Sequence, residues 1–208
     1  MEKEHSEVKL NQILSAAQKR FGHYGLSKTT MNEIADDIGM CKASLYYYFK
    51  DKESIFLAVA GKEQEYFIQE MNKIIHSSFD TEKMLLGYID LRIKLLKTLL
   101  TLGKFSCGSY VEVKPLLSSL SQKFRKEEMN MIAGIIKIGI KRKEFSLENI
   151  EMNAEFLIDA LRGLSRVAYL GYEERGLYGL PPKEDQKLKQ QTHLLTKFFI
   201  KGISIKET

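Results

Sequence analysis

An all-α fold is predicted by three features of the 208-residue sequence. Apolar residues recur at i, i+3, i+4 and i+7 along nearly the whole chain, the spacing that lines one face of a helix. Sustained alternation of apolar and polar residues, the mark of a half-buried strand, is missing. Prolines number only three, so little interrupts a helical run. With 44% hydrophobic and 28% charged residues the chain can bury a sizeable core, and it carries no long acidic or Ser/Gly/Pro-rich tract of the disordered kind.

The first helix is predicted from about Glu7 to Tyr24, with Leu10, Ile13, Leu14, Ala17 and Phe21 on one face and Gly25 at the left-handed position that ends it. Thr30-Met31-Asn32-Glu33 reads as a capping box, in which the threonine hydroxyl and the glutamate satisfy free amides at a helix start. Ile34, Ala35 and Ile38 give this second, short helix its buried face, and Gly39 ends it. A third short helix, about Lys42 to Tyr48, follows within a few residues. Asp51 is the expected N-cap of a fourth helix that meets no breaker until about Ile75. That length exceeds what a small three-helix unit needs, so the helix is read as a rigid link between two domains, residues 1–50 and 51–208. Further helices are expected at about 81–102, 104–112 (short and irregular), 115–143, 147–172 and 184–203. Pro115 suits a first helical turn, Ser146 an N-cap, and Gly171 to Pro182 a loop.

Composition excludes several function classes. Cys41 and Cys107 are far apart and form no CxxC pair, and His5, His23, His76 and His193 lack ligand spacing, so neither a metal nor a cofactor is expected. No Ser/His/Asp arrangement or Gly-rich phosphate loop marks an enzyme. The polar start of the chain lacks a signal peptide's apolar run, and no stretch of about 18 uncharged apolar residues follows, so a cytoplasmic protein without a membrane partner is expected. The net charge of +5 tolerates a polyanionic partner, yet residues 1–52 carry eight Lys/Arg against seven Asp/Glu. Bulk basicity therefore decides nothing, and the arrangement of residues must.

A short helix, a tight glycine turn and a second short helix is how a helix-turn-helix presents a recognition helix to the major groove. The stretch Thr29 to Phe56, TTMNEIADDIGMCKASLYYYFKDKESIF, resembles the DNA-binding region of tetracycline-repressor-type (TetR family) regulators, and Ile13, Ala16, Ala17, Phe21 and Gly25 fit the helix before it. The resemblance covers about residues 8–60; beyond it only length and helical layout agree. Lys42, Ala43 and Ser44 open the recognition helix, where side chains face base edges; Lys42 suits guanine O6/N7 and Ala43 a thymine methyl. Thr30, at a helix N-terminus, suits a phosphate as well as the cap, and Thr29 offers a second hydroxyl. The run Tyr46-Tyr47-Tyr48 spans most of a helix circumference, so at least one ring faces outward. The resemblance assigns Tyr46 to a phosphate or base, Tyr47 to the adjacent backbone and Lys52 to a phosphate. Cys41 stands where the family usually has a serine or threonine cap; a thiol accepts poorly and, at a helix N-terminus, is open either to redox sensitivity or to a plain structural role.

The same resemblance implies that residues 51–208 bind a small-molecule inducer and dimerise, usually to repress. Tyr66, Met84, Tyr88, Phe105, Tyr110 and Phe124 are the candidate lining for an apolar or aromatic ligand, with ordinary core as the other reading. Arg92, Glu112 and Arg162 supply candidate polarity without a placement. The last two long helices carry apolar stripes, from which Ile150, Leu157, Leu161, Leu164, Leu195 and Phe199 are the candidate dimer interface, or else pack within the chain. Gly163 costs about 1 kcal/mol inside a helix unless another helix approaches closely. The competing function is a helical protein-interaction module without DNA binding, which leaves Lys42, Tyr46, Tyr47 and Lys52 without a common partner.

Overall fold

The computed structural model of the chain describes residues 2–103, 107–173 and 180–205, with side chains over 6–99, 118–169 and 180–205. Eight helices and no strand form among them: α1 (Glu2–Tyr24), α2 (Met31–Asp37), α3 (Lys42–Tyr48), α4 (Lys52–Ser77), α5 (Thr81–Gly103), α6 (Cys107–Lys141), α7 (Ile150–Glu173) and α8 (Pro182–Ile203). The all-α expectation holds, and local chemistry explains several of the helix ends.

Gly25 takes φ 81° and its amide bonds the Phe21 carbonyl at 2.8 Å, closing α1 in the left-handed conformation that glycine adopts without strain. At the start of α2 the Glu33 amide donates to the Thr30 hydroxyl at 3.3 Å, and the Thr30 amide donates back to the Glu33 carboxylate at 2.8 Å. Such a cap is worth about 1 kcal/mol. Asp51 does the same for α4, its carboxylate accepting from the Ser54 amide at 2.7 Å.

Two sequence expectations about helix ends are corrected. The backbone of α6 runs through Pro115 instead of beginning there, which leaves the helix one amide donor short at that position. At α7 the cap is Asn149, not Ser146: its side chain accepts from the Met152 amide at 3.0 Å and its backbone sits at φ 53°, which asparagine tolerates better than most residues. The Ser146 amide instead bonds the Ile203 carbonyl at 2.8 Å, in a short bridge that ties the α6–α7 turn to the end of α8.

Apolar side chains collect into two clusters. The first joins Ile13, Ala17 and Phe21 of α1, Ile34 and Ala35 of α2, Leu45 of α3 and Ile55, Phe56 and Val59 of α4. The second joins Phe67 and Met71 of α4 to Met84 and Tyr88 of α5, Phe124 and Ile135 of α6, Leu157 and Leu161 of α7 and Phe199 of α8. One helix, α4, therefore has its first turns in one core and its later turns in the other. Among the described residues no helix is long and apolar enough to cross a membrane.

Candidate nucleic-acid interface

The turn between α2 and α3 holds Gly39 at φ 60°, and α3 buries one side chain completely, Leu45, with Tyr48 packed partly against the same core. With Leu45 inward, helical spacing leaves Lys42, Ala43, Ser44, Tyr46 and Tyr47 on the outside, and all five are exposed. Tyr47 is 84% exposed, an unusual fate for an aromatic ring with a core within reach. Tyr48 is half-buried and meets Tyr47 edge to face at 5.3 Å. The Lys42 ammonium lies 5.8 Å from the centre of the Tyr46 ring, a cation–π distance that leaves its donors in solvent. The sequence-predicted set on α3 is thus brought onto one outward face.

Two of the predicted phosphate contacts have partners within the chain itself. Thr29 is buried, and its hydroxyl donates to the Gly25 carbonyl at 2.8 Å, stitching the turn before α2. Lys52 is not a free cation. Its Nζ donates to the carbonyls of Leu26 (2.9 Å), Ser27 (3.2 Å) and Thr29 (3.0 Å), which occupies all three of its N–H bonds. Lys52 is thereby a staple between the α1–α2 turn and the start of α4. Thr30 is exposed, and its hydroxyl also donates to Glu33 at 2.8 Å.

Charge pairing decides which cations remain. Arg20 reaches from α1 to Asp37 of α2 in a fork of 2.6 and 2.9 Å, and to Glu33 at 3.2 Å. The Arg20 guanidinium holds the Asp37 carboxyl below its ordinary value, and the Thr30 hydroxyl and amide do so for Glu33. Arg20 therefore serves the fold. Lys28 and Lys50 are exposed, with Lys50 at a loose 3.8 Å from Asp51, so these two join Lys42 as the uncommitted lysines of the turn-and-helix segment. Sequence reasoning passed over both; their positions just before α2 and just after α3 were the available signal.

Cys41 is exposed at the N-cap of α3, and its thiol makes no hydrogen bond that caps the helix. Its Sγ lies 3.0 Å from the Ser44 hydroxyl, which, with the amides of the first turn, lowers the thiol's pKa from its ordinary value. Cys41→Ser is expected to raise stability by about 1 kcal/mol in urea denaturation, because a hydroxyl accepts from the free amides where the thiol does not. An unchanged midpoint would show that the cap is not limiting.

Residues 13–59, which span the three helices and the first turns of α4, match the model of the bacterial regulatory proteins of the tetR family. A crystal structure of a transcriptional regulator from Cytophaga hutchinsonii is 42% identical and superposes with a TM-score of 0.85, covering 95% of this chain and 99% of that one. The chain belongs to the TetR family. Relatives include the HTH-type transcriptional repressor Rv1474c of Mycobacterium tuberculosis, 32% identical over 62 residues. That match takes in 30% of this chain and spans only a third, 33%, of the relative. The repressor BepR of Brucella suis is 25% identical over 161 residues, 73% of this chain and 76% of the relative. As a TetR-family member the chain is a DNA-binding transcriptional regulator with an N-terminal helix-turn-helix.

The C-terminal candidates divide. Met84, Tyr88 and Phe124 are buried in the second core. Tyr66 is not: it lies exposed on α4 with the Lys94 ammonium 5.0 Å from its ring centre. Phe105 and the side chain of Tyr110 lie outside the described residues, as does the side chain of Glu112. The expected dimer stripe lies mostly inside the single chain, as its alternative reading had it. Leu157 and Leu161 have no exposed surface within a single chain, Phe199 is buried, and Ile150, Leu164 and Leu195 are half-buried. They form the inward faces of α7 and α8. The outward apolar residues are Met152, Phe156 and Val167 on α7 and Leu194 and Phe198 on α8.

Proposed function

We propose that this regulator is a homodimeric repressor that reads a palindromic operator with α3 and is released when a small apolar or aromatic molecule binds among its C-terminal helices. The observation that carries the reading is the outward face of α3, where Lys42, Ala43, Ser44, Tyr46 and Tyr47 stand in solvent around the buried Leu45. Lys42 and Ala43 read base edges, and Ser44, Tyr46 and Tyr47 contact the flanking backbone. Thr30, Lys28 and Lys50 anchor phosphates.

A helix of seven residues touches few base pairs, so useful specificity needs a second copy one helical turn, or a multiple, away. The outward stripes of α7 and α8 supply the twofold contact. Met152, Phe156, Gly163 and Val167 fall on one side of α7, and a Cβ built at Gly163 meets nothing within 4 Å in the single chain. A neighbouring helix can therefore approach closely at that glycine, which accounts for its position in a helix interior. The functional division is residues 1–50 for DNA and 51–208 for ligand and dimer contacts, with the first turns of α4 completing the N-terminal core.

Binding to duplex DNA should fall steeply with salt. Lys28 and Lys50 on two subunits give about four phosphate contacts, so affinity is expected to drop about a hundredfold between about 50 and 200 mM salt. Fluorescence anisotropy with a labelled duplex measures this. A flat salt dependence would favour a protein-interaction module instead.

A further inference from the structure

Glu128 of α6 is 1% exposed and carries a carboxylate into the core of the C-terminal helices. The Tyr88 hydroxyl donates to its Oε1 at 2.7 Å, Arg92 Nε donates to the same oxygen at 3.0 Å, and Arg162 Nη2 donates to Oε2 at 3.0 Å. Burial and the adjacent carboxylate push the Tyr88 phenol well above its ordinary value, so it remains a donor. Three helices, α5, α6 and α7, therefore meet at one carboxylate. The arrangement is uneven in charge: a single anion faces two guanidiniums.

Each arginine meets Glu128 through one N–H only, although guanidinium and carboxylate favour a two-bond fork. Among the described residues neither Arg92 nor Arg162 pairs with any other carboxylate. Asp159 feels the Arg162 charge but makes its hydrogen bonds to Arg125, which grips both of its oxygens and also Glu155 in an exposed layer on α6 and α7. An excess cation facing a low-dielectric core is costly to desolvate, and a second anion relieves that cost. The side chains of Arg92 and Arg162 are 14% and 31% accessible, so the cluster is not sealed.

We propose that the free edges of Arg92 and Arg162 receive the carboxylate of an amphiphilic effector, whose apolar body lies against Phe67, Tyr88 and Phe124. This rests on the reading above that the C-terminal helices bind a small molecule, and it names the chemical class. Glu128 is the internal counter-ion that holds the two arginines in position and competes with the incoming anion. A carboxylate fits because each guanidinium gives only one N–H to Glu128 and keeps its other donors free of it. The aromatic wall reaches the linking helix, since Phe67 of α4 packs edge-on against Tyr88 at 5.8 Å and Phe124 at 5.2 Å. An effector that draws the arginines off Glu128 therefore alters the hold on a ring that touches the helix carrying the DNA-reading unit.

The test is calorimetric titration of the full-length protein with straight-chain carboxylates, from hexanoate to hexadecanoate, and with benzoate, against the matching alcohols. Carboxylates are expected to bind at least about tenfold more tightly than the alcohols, the worth of one charged hydrogen bond. Glu128→Gln keeps the shape and the acceptor for Tyr88 but removes the competing charge, so it should tighten carboxylate binding about tenfold and leave alcohol binding unchanged. Arg162→Gln, at the more accessible position, should weaken carboxylate binding by a similar factor, and it stands as the test if Glu128→Gln does not fold by circular dichroism. Equal binding of alcohols and carboxylates, or failure of both variants to change their ratio, overturns the inference and leaves the effector reading intact. Binding of neither class overturns both.

Discussion

With Phe156 and Phe198 both changed to glutamate, the protein is expected to sediment as a monomer and to lose about a thousandfold or more in affinity for a two-half-site operator. The two rings are 62% and 64% exposed in the single chain, on helices whose opposite faces are already committed to the core. Met152 and Val167 on α7 and Leu194 on α8 are exposed as well. An aromatic ring buries about 150–250 Å² when fully covered, and burying a phenylalanine contributes about 1.5–3 kcal/mol. The double change removes four such rings from a twofold contact and places four carboxylates there instead, so the loss exceeds what an interface of ordinary stability survives. Operator affinity falls with it, because each freed subunit offers one recognition helix where the duplex presents two half-sites. Sedimentation equilibrium and anisotropy on the same preparation measure both effects. A double variant that remains dimeric would place the interface elsewhere.

The contrast with Leu157 shows how far the sequence could be read. Helix α7 is apolar on two faces, and periodicity identifies both without saying which one meets its own chain. The more regular stripe, Leu157 and Leu161, went to the core; the sparser one, Met152, Phe156 and Val167, was left outside. Local signals fared better. Gly25, the Thr30–Glu33 box and Asp51 act within four residues of themselves, so their roles were legible from spacing. The outward face of α3 followed from the position of Leu45 and the improbability of burying three consecutive tyrosines. What stayed hidden depended on partners distant in the chain. Glu128 sits in the run Arg125-Lys126-Glu127-Glu128, which reads as a solvated charge cluster, and nothing local reveals that one of the four turns inward. Thr29 and Thr30 are adjacent and chemically identical, yet one is buried and the other exposed.

Lys52 is the position at which that limit changes an expected experiment. A phosphate-binding lysine, when replaced, weakens all DNA sequences alike and flattens the salt slope by about one unit. In the folded chain, however, its ammonium already holds the carbonyls of Leu26, Ser27 and Thr29, 23–26 residues earlier. These carbonyls belong to the turn that sets the angle between α1 and α2, and a hydrogen bond to a charged group contributes about 1.5–3 kcal/mol. Lys52→Met, which keeps the aliphatic stem and removes the donors, is therefore expected to destabilise the protein by about 2 kcal/mol in urea denaturation. DNA affinity should fall because α2 and α3 are held less firmly, while the salt slope stays the same. Lys42→Ala should do the reverse: stability unchanged, and discrimination lost at particular base pairs by about 1–3 kcal/mol, since its ammonium rests on the exposed Tyr46 ring in the free protein. If Lys52→Met left the denaturation midpoint in place and flattened the slope by one unit, the three carbonyls would be only a resting place for a cation that moves to phosphate on binding.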